Sequence, residues 1–90
     1  MKKHTKIYLD FYGYGEQDFV PCESCGTRAV DVHHINARGM GGDPNADKDA
    51  IENLVGLCRI CHTKAENSIP FNKWVESKHL KTIELWTRTH

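Results

Sequence analysis

Two cysteine pairs of identical spacing, Cys22-x-x-Cys25 and Cys58-x-x-Cys61, constrain this chain more than any other feature. At 90 residues, apolar burial alone gives a marginal core, and such chains are usually stapled by a metal, by disulfides or by a partner. A C-x-x-C pair offers two thiolates to one ion, so two pairs supply all four ligands of a closed tetrahedral zinc site. A disulfide framework fits less well, because cysteines three apart rarely pair stably outside redox motifs and no secretory signal is expected. Structural zinc is therefore expected at Cys22, Cys25, Cys58 and Cys61.

The second pair runs straight into His62, within Leu57-Cys58-Arg59-Ile60-Cys61-His62. A neutral imidazole at that point can serve a second, more open metal site, or stand in for a cysteine in the first. Lys and Arg number 12 and Asp and Glu number 12, so net charge makes no case for a nucleic-acid partner. Distribution makes a better one, with Lys2, Lys3 and Lys6 at one end, Lys73, Lys78, Lys81 and Arg88 at the other, and acids collected between Asp43 and Glu52. That segregation can present a basic face to phosphates, although solvated surface charge explains it equally. No apolar run approaches the roughly 20 residues of a membrane span, so a soluble, cytoplasmic chain without a membrane partner is expected.

Residues 4 to 12 read as a helix, with Ile7 and Phe11, and Tyr8 and Tyr12, each four apart and Gly13 as the stop. Strand alternation of Ile7, Leu9 and Phe11 fits almost as well. The aromatics Tyr8, Phe11, Tyr12, Tyr14 and Phe19 suit packing in a core-poor domain better than stacking on bases. Gly26, after the second cysteine, suits the tight turn of a zinc knuckle. Arg28 to Ile35 reads as a strand, with Asp31 and His33 on one face and Val32 on the other. His33 and His34 can share one site only where that strand gives way to a loop. Asn36 to Asn53 is that loop, Leu54 to Leu57 can complete a hairpin, and Arg59 to Asn67 has helical composition stopped by Pro70. A second helix follows with Phe71, Trp74 and Val75 as its apolar stripe. Beyond Lys81, Ile83, Leu85 and Trp86 form a docked tail, strand or helix.

From Cys22 to His62 the motifs fall in a specific order: C-x-x-C-G, then Asp31-Val32-His33-His34-Ile35, then Asn53-Leu54, then Leu57-Cys58-x-x-Cys61-His62. Asn53 stands nine residues before His62, and the cysteine pairs frame the set. In this order the chain resembles the HNH endonucleases. The resemblance implies an α+β fold: a small ββα-metal (His-Me finger) core with a structural four-cysteine zinc site and added terminal helices. It also implies one HNH nuclease domain over 1–90, with a motif core at 22–66 and peripheral elements at 1–21 and 67–90. Carried over, it makes His34 the general base, His33 and His62 the ligands of a catalytic divalent metal such as Mg2+, Mn2+ or Ni2+, and Asn53 the residue that orients the histidine loop. The chemistry agrees, since phosphodiester hydrolysis needs a base that is largely neutral near pH 7 and a cation beside the scissile phosphate.

Three further residues extend the pattern. Asp31, two before His33 and so on the same strand face, can accept a ring N–H from a metal-bound histidine. Glu66, one turn after His62, can be a third ligand or a solvated surface residue. Arg38, among Gly39 to Gly42, can bring a guanidinium to a DNA phosphate or belong to a plain turn. The expected activity is hydrolysis of DNA by a bacterial or phage-type intracellular enzyme, with a homodimer needed if both strands are cut together. The competing class is a zinc-stabilised nucleic-acid-binding module that does not cleave.

Overall fold

The computed structural model describes residues 2–36 and 49–90. Arg38 and the glycines beside it lie outside the described residues.

The amino-terminal ambiguity resolves as a helix, α1 (Lys3–Tyr12), whose buried residues Tyr8 and Tyr12 are one turn apart. Gly13 ends it at φ 76°, a left-handed conformation that costs glycine little, and Tyr14 N–H turns back to the Leu9 carbonyl at 2.9 Å. The chain then forms the cysteine knuckle. Ala29 N–H donates to Val20, Gly26 N–H donates to Cys22 at 2.9 Å, and Gly26 supplies the positive φ of 85° that the turn requires.

Strands β1 (Asp31–His34) and β2 (Leu54–Leu57) pair antiparallel, with Asp31 opposite Leu57 and His34 opposite Leu54. The strand is shorter than the Arg28 to Ile35 expected. A 3-10 turn (Ile51–Asn53) precedes β2 and a helix follows it, so β2 offers only four residues to pair with. Single bonds extend the ladder, from Val30 N–H to Leu57 and from Ile35 N–H to Asn53.

Every residue of β2 is buried, and alternation sends them to two sides. Leu54 joins Tyr8 and Tyr12 under α1, while Val55 and Leu57 join Cys22, Cys61, Ala65 and Val75 on the other side. The second side is closed by α2 (Arg59–Asn67) and α3 (Ile69–Thr89). Pro70 both stops α2 and opens α3, where a proline in the first turn loses no hydrogen bond, and Ser68 Oγ caps α3 by accepting from Phe71 N–H at 3.2 Å. The tail is thus helical throughout. Twenty-one residues at about 1.5 Å each carry α3 back across the molecule, and Trp86 meets Tyr12 edge to face at 5.3 Å. Of the expected stripe, Phe71 and Val75 face the core while Trp74 is 47% exposed. No helix among the described residues is long and apolar enough to cross a membrane.

The result is an α+β fold, a β1–β2–α2 finger preceded by a cysteine knuckle and flanked by α1 and α3.

Candidate active site and metal centres

The hairpin's far end and the start of α2 bring Cys22, Cys25, Cys58 and Cys61 together, with all four sulfurs within 4.8 Å of one another and Cys25 and Cys58 at 3.6 Å. Zinc–sulfur bonds of about 2.3 Å in a tetrahedron put sulfurs roughly 3.8 Å apart, so the donor set fits the ion. Cys58 stands at the N-cap of α2, where the Cys61 backbone N–H draws its thiol down to about 6. The Thr27 hydroxyl, 3.0 Å away, draws Cys25 down as well. Burial pushes Cys61 up to about 12. Two sulfurs are therefore readily deprotonated, and a cation would have to displace the proton of a third. His62 faces away from this cluster, which excludes its reading as a substitute for a cysteine.

His33 and His34 both lie inside β1, so their side chains diverge instead of sharing one cluster. His33 turns toward α2 and α3. Its ring lies 5.0 Å from that of His62, and its Nε2 is 2.9 Å from Asn72 Oδ1, whose own Nδ2 donates to the Ile35 carbonyl. Because Asn72 presents oxygen to His33, Nε2 carries the hydrogen and Nδ1 keeps the lone pair. Burial lowers the pKa of His33, helped by the neighbouring His62, and keeps the ring in the neutral form that ligates metals.

His62 has a carboxylate at each ring nitrogen, Nδ1 lying 3.1 Å from Asp31 Oδ2 and Nε2 3.3 Å from Glu66 Oε1, so an ion entering between Nε2 and Glu66 would take the place of a proton there. Each of the two imidazoles has one ring nitrogen held by an oxygen, of Asn72 or of Asp31, and Glu66 adjoins the other nitrogen of His62. Tying back the distal N–H is how proteins orient histidine ligands. His33, His62 and Glu66 form a looser set than the cysteines, and their donors suit a divalent ion that keeps open positions.

His34 turns the other way. Its Nε2 is 2.8 Å from Asp49 Oδ1, and its ring meets His4 of α1 edge-on at 4.5 Å. With Nε2–H donated to Asp49, Nδ1 is the nitrogen able to accept a proton. Asn53 ties the loop's two ends. Its Oδ1 accepts from Asn36 N–H at 2.8 Å and its Nδ2 donates to the Asn36 carbonyl at 3.0 Å, which fixes the chain directly after the histidines.

Asn72, His4 and Asp49 were not indicated by the motifs. Asn72 gave one weak signal, a poor helix former placed between Phe71 and Trp74. His4 and Asp49 gave none, since only the folded chain brings α1 to the end of β1. A cleft of about 360 Å³ runs between α1 and β1, bordered by Lys2, His4, Asp31 and His62.

The described residues thus form a ββα finger with adjacent histidines on its first strand, a third in the first turn of its helix and a four-cysteine knuckle beside them. The chain belongs to the HNH endonuclease family, whose profile matches residues 22–68, from the first cysteine to the end of α2. Nothing among curated proteins or solved structures matches the chain. Family membership gives nuclease-type chemistry in general.

Proposed function

We propose that this chain is a metal-dependent DNA endonuclease that hydrolyses phosphodiester bonds with His34 as general base and one divalent ion held by His33 and His62, with Glu66 as third ligand. The observation that supports this reading is the pair of held imidazoles, His33 on Asn72 and His62 on Asp31 with ring centroids 5.0 Å apart, and His34 as the next residue along β1. His34 Nδ1 takes the proton of a water that attacks phosphorus in line, the bond to the 3′ oxygen breaks, and that oxygen takes a proton from solvent to leave 5′ phosphate and 3′ hydroxyl. The divalent ion, when bound, supplies positive charge to the phosphate and the leaving oxygen. Asn53 holds the loop that follows the base, and Asp31 and Asn72 orient the ligands. Cys22, Cys25, Cys58 and Cys61 hold a structural zinc. Residues 1–90 act as one unit around the 22–66 core, and Lys2, which lines the cleft, supplies positive charge for a DNA phosphate.

Supercoiled plasmid incubated with zinc-loaded protein and Mg2+, Mn2+ or Ni2+ in turn tests this. Nicking that starts on adding the ion and stops with EDTA is the expected result. Binding of DNA with no nicking in any ion would replace the proposal with the non-cleaving zinc module.

A further inference from the structure

His4, His34 and Asp49 converge from α1, the end of β1 and the residue ahead of the 3-10 turn, with one ligand atom of each within 4.8 Å of the others. Among the described residues only the four cysteines form a comparably close group of metal-binding side chains. None of the three side chains is fully exposed, and Asp49 is only 5% exposed. Two imidazole nitrogens and a carboxylate oxygen are a zinc-type donor set, whereas Mg2+ prefers oxygen ligands and retained water. Ligand bonds of about 2.0–2.1 Å place tetrahedral donors roughly 3.3 Å apart. His34 and Asp49, at 2.8 Å, need to open only slightly to admit an ion.

We propose that His4, His34 and Asp49 form a separate zinc-binding site, and that Zn2+ there silences the enzyme by occupying the histidine that serves as its base. The ion binds the Nε2 lone pair facing Asp49 Oδ1 and the ring keeps its one hydrogen, now on Nδ1, so the nitrogen that would take the water's proton no longer has a lone pair. The site shares no residue with the His33 and His62 pair, whose rings lie against each other at 5.0 Å. The silencing half rests on the assignment of His34 as general base; the binding half does not.

Protein already loaded with zinc at the cysteines is titrated with further Zn2+ while the histidine ring nitrogens are followed by 15N NMR. His4 and His34 should shift together with one midpoint, and His4→Ala should weaken the His34 response by at least about tenfold, as expected for losing a ligand. Asp49→Asn, which keeps side-chain size, should weaken it likewise. In parallel, Mg2+-driven plasmid nicking should be inhibited by Zn2+, with the inhibitory concentration raised at least about tenfold in His4→Ala when each protein is compared with its own rate before further Zn2+ is added. A His34 shift with an unchanged midpoint in both variants overturns the site. Inhibition at the same Zn2+ concentration in His4→Ala overturns the silencing and places it at another site. A protein that nicks nothing yet shows the paired shift keeps the site and loses only the nuclease reading.

Discussion

His79 lies fully buried in α3 with Nδ1 2.8 Å from Glu23 Oε1 and Nε2 2.7 Å from the Ile51 carbonyl. Both ring nitrogens face acceptors, so both donate and the ring is an imidazolium. Burial pulls its pKa down, but the Glu23 carboxylate and the Ile51 carbonyl outweigh it and the net shift is upward. A raised folded pKa contributes stability that is fully present below the unfolded value of about 6.5 and is lost as pH rises through the folded value. Urea unfolding of wild type and His79→Gln at saturating zinc should therefore show a stability difference that shrinks as pH climbs above about 6.5; a difference that grows with pH would contradict the charged ring. Below that range the substitution should cost roughly 3 to 5 kcal/mol, because Glu23 is left buried without its charged partner. This contact was invisible in the sequence, although Phe71, Val75 and His79 at intervals of four mark a histidine riding on an apolar stripe.

At the scale of elements, the close seating of α1 on the sheet depends on Gly56. A Cβ there would sit 3.0 Å from Tyr8 Oη and 3.2 Å from its ring. Tyr8 cannot easily yield, since its hydroxyl donates to the other oxygen of Glu23 and its ring is buried. Gly56→Ala should lower stability by roughly 1 to 3 kcal/mol, the usual cost of overpacking, read as a lower denaturant midpoint with unchanged slope; an unaffected midpoint would show that α1 rides loosely. The elements themselves were legible to different degrees, for physical reasons. Arg59 to Asn67 and the β2 segment were clear, because helical composition and a short apolar run between turn signals left few alternatives. Residues 4 to 12 were not, since an aromatic-rich segment satisfies both periods and only docking on Leu54 decides between them. The tail after Lys81 was ambiguous because its burial rests on contacts such as Trp86 with Tyr12, distant in sequence. At the site, His33, His34, His62, Asn53 and the cysteines could be read from motif order, while Asn72, His4 and Asp49 needed the folded chain.

On the whole-molecule scale, the cysteine cluster belongs to the core itself, since Cys22 and Cys61 are buried among Ile35, Val55, Leu57, Ala65 and Val75. Zinc in small finger peptides is worth roughly 10 to 16 kcal/mol, against roughly 5 to 15 kcal/mol for the stability of a whole domain. Chelation, or Cys58→Ser, should abolish the cooperative melt seen by circular dichroism; an unchanged melt would remove zinc from the account. The catalytic claim is tested most directly by the rate of plasmid nicking against divalent-ion concentration for wild type, His34→Ala and His62→Ala, all zinc-loaded. His34→Ala should lose roughly 10²- to 10⁴-fold in rate at every ion concentration, the usual contribution of a positioned general base. His62→Ala should lose rate at low ion and recover part of it at high ion, because the base remains. Rescue of His34→Ala but not His62→Ala by the ion would reverse the two roles, and nicking unaffected by either substitution would contradict the site altogether.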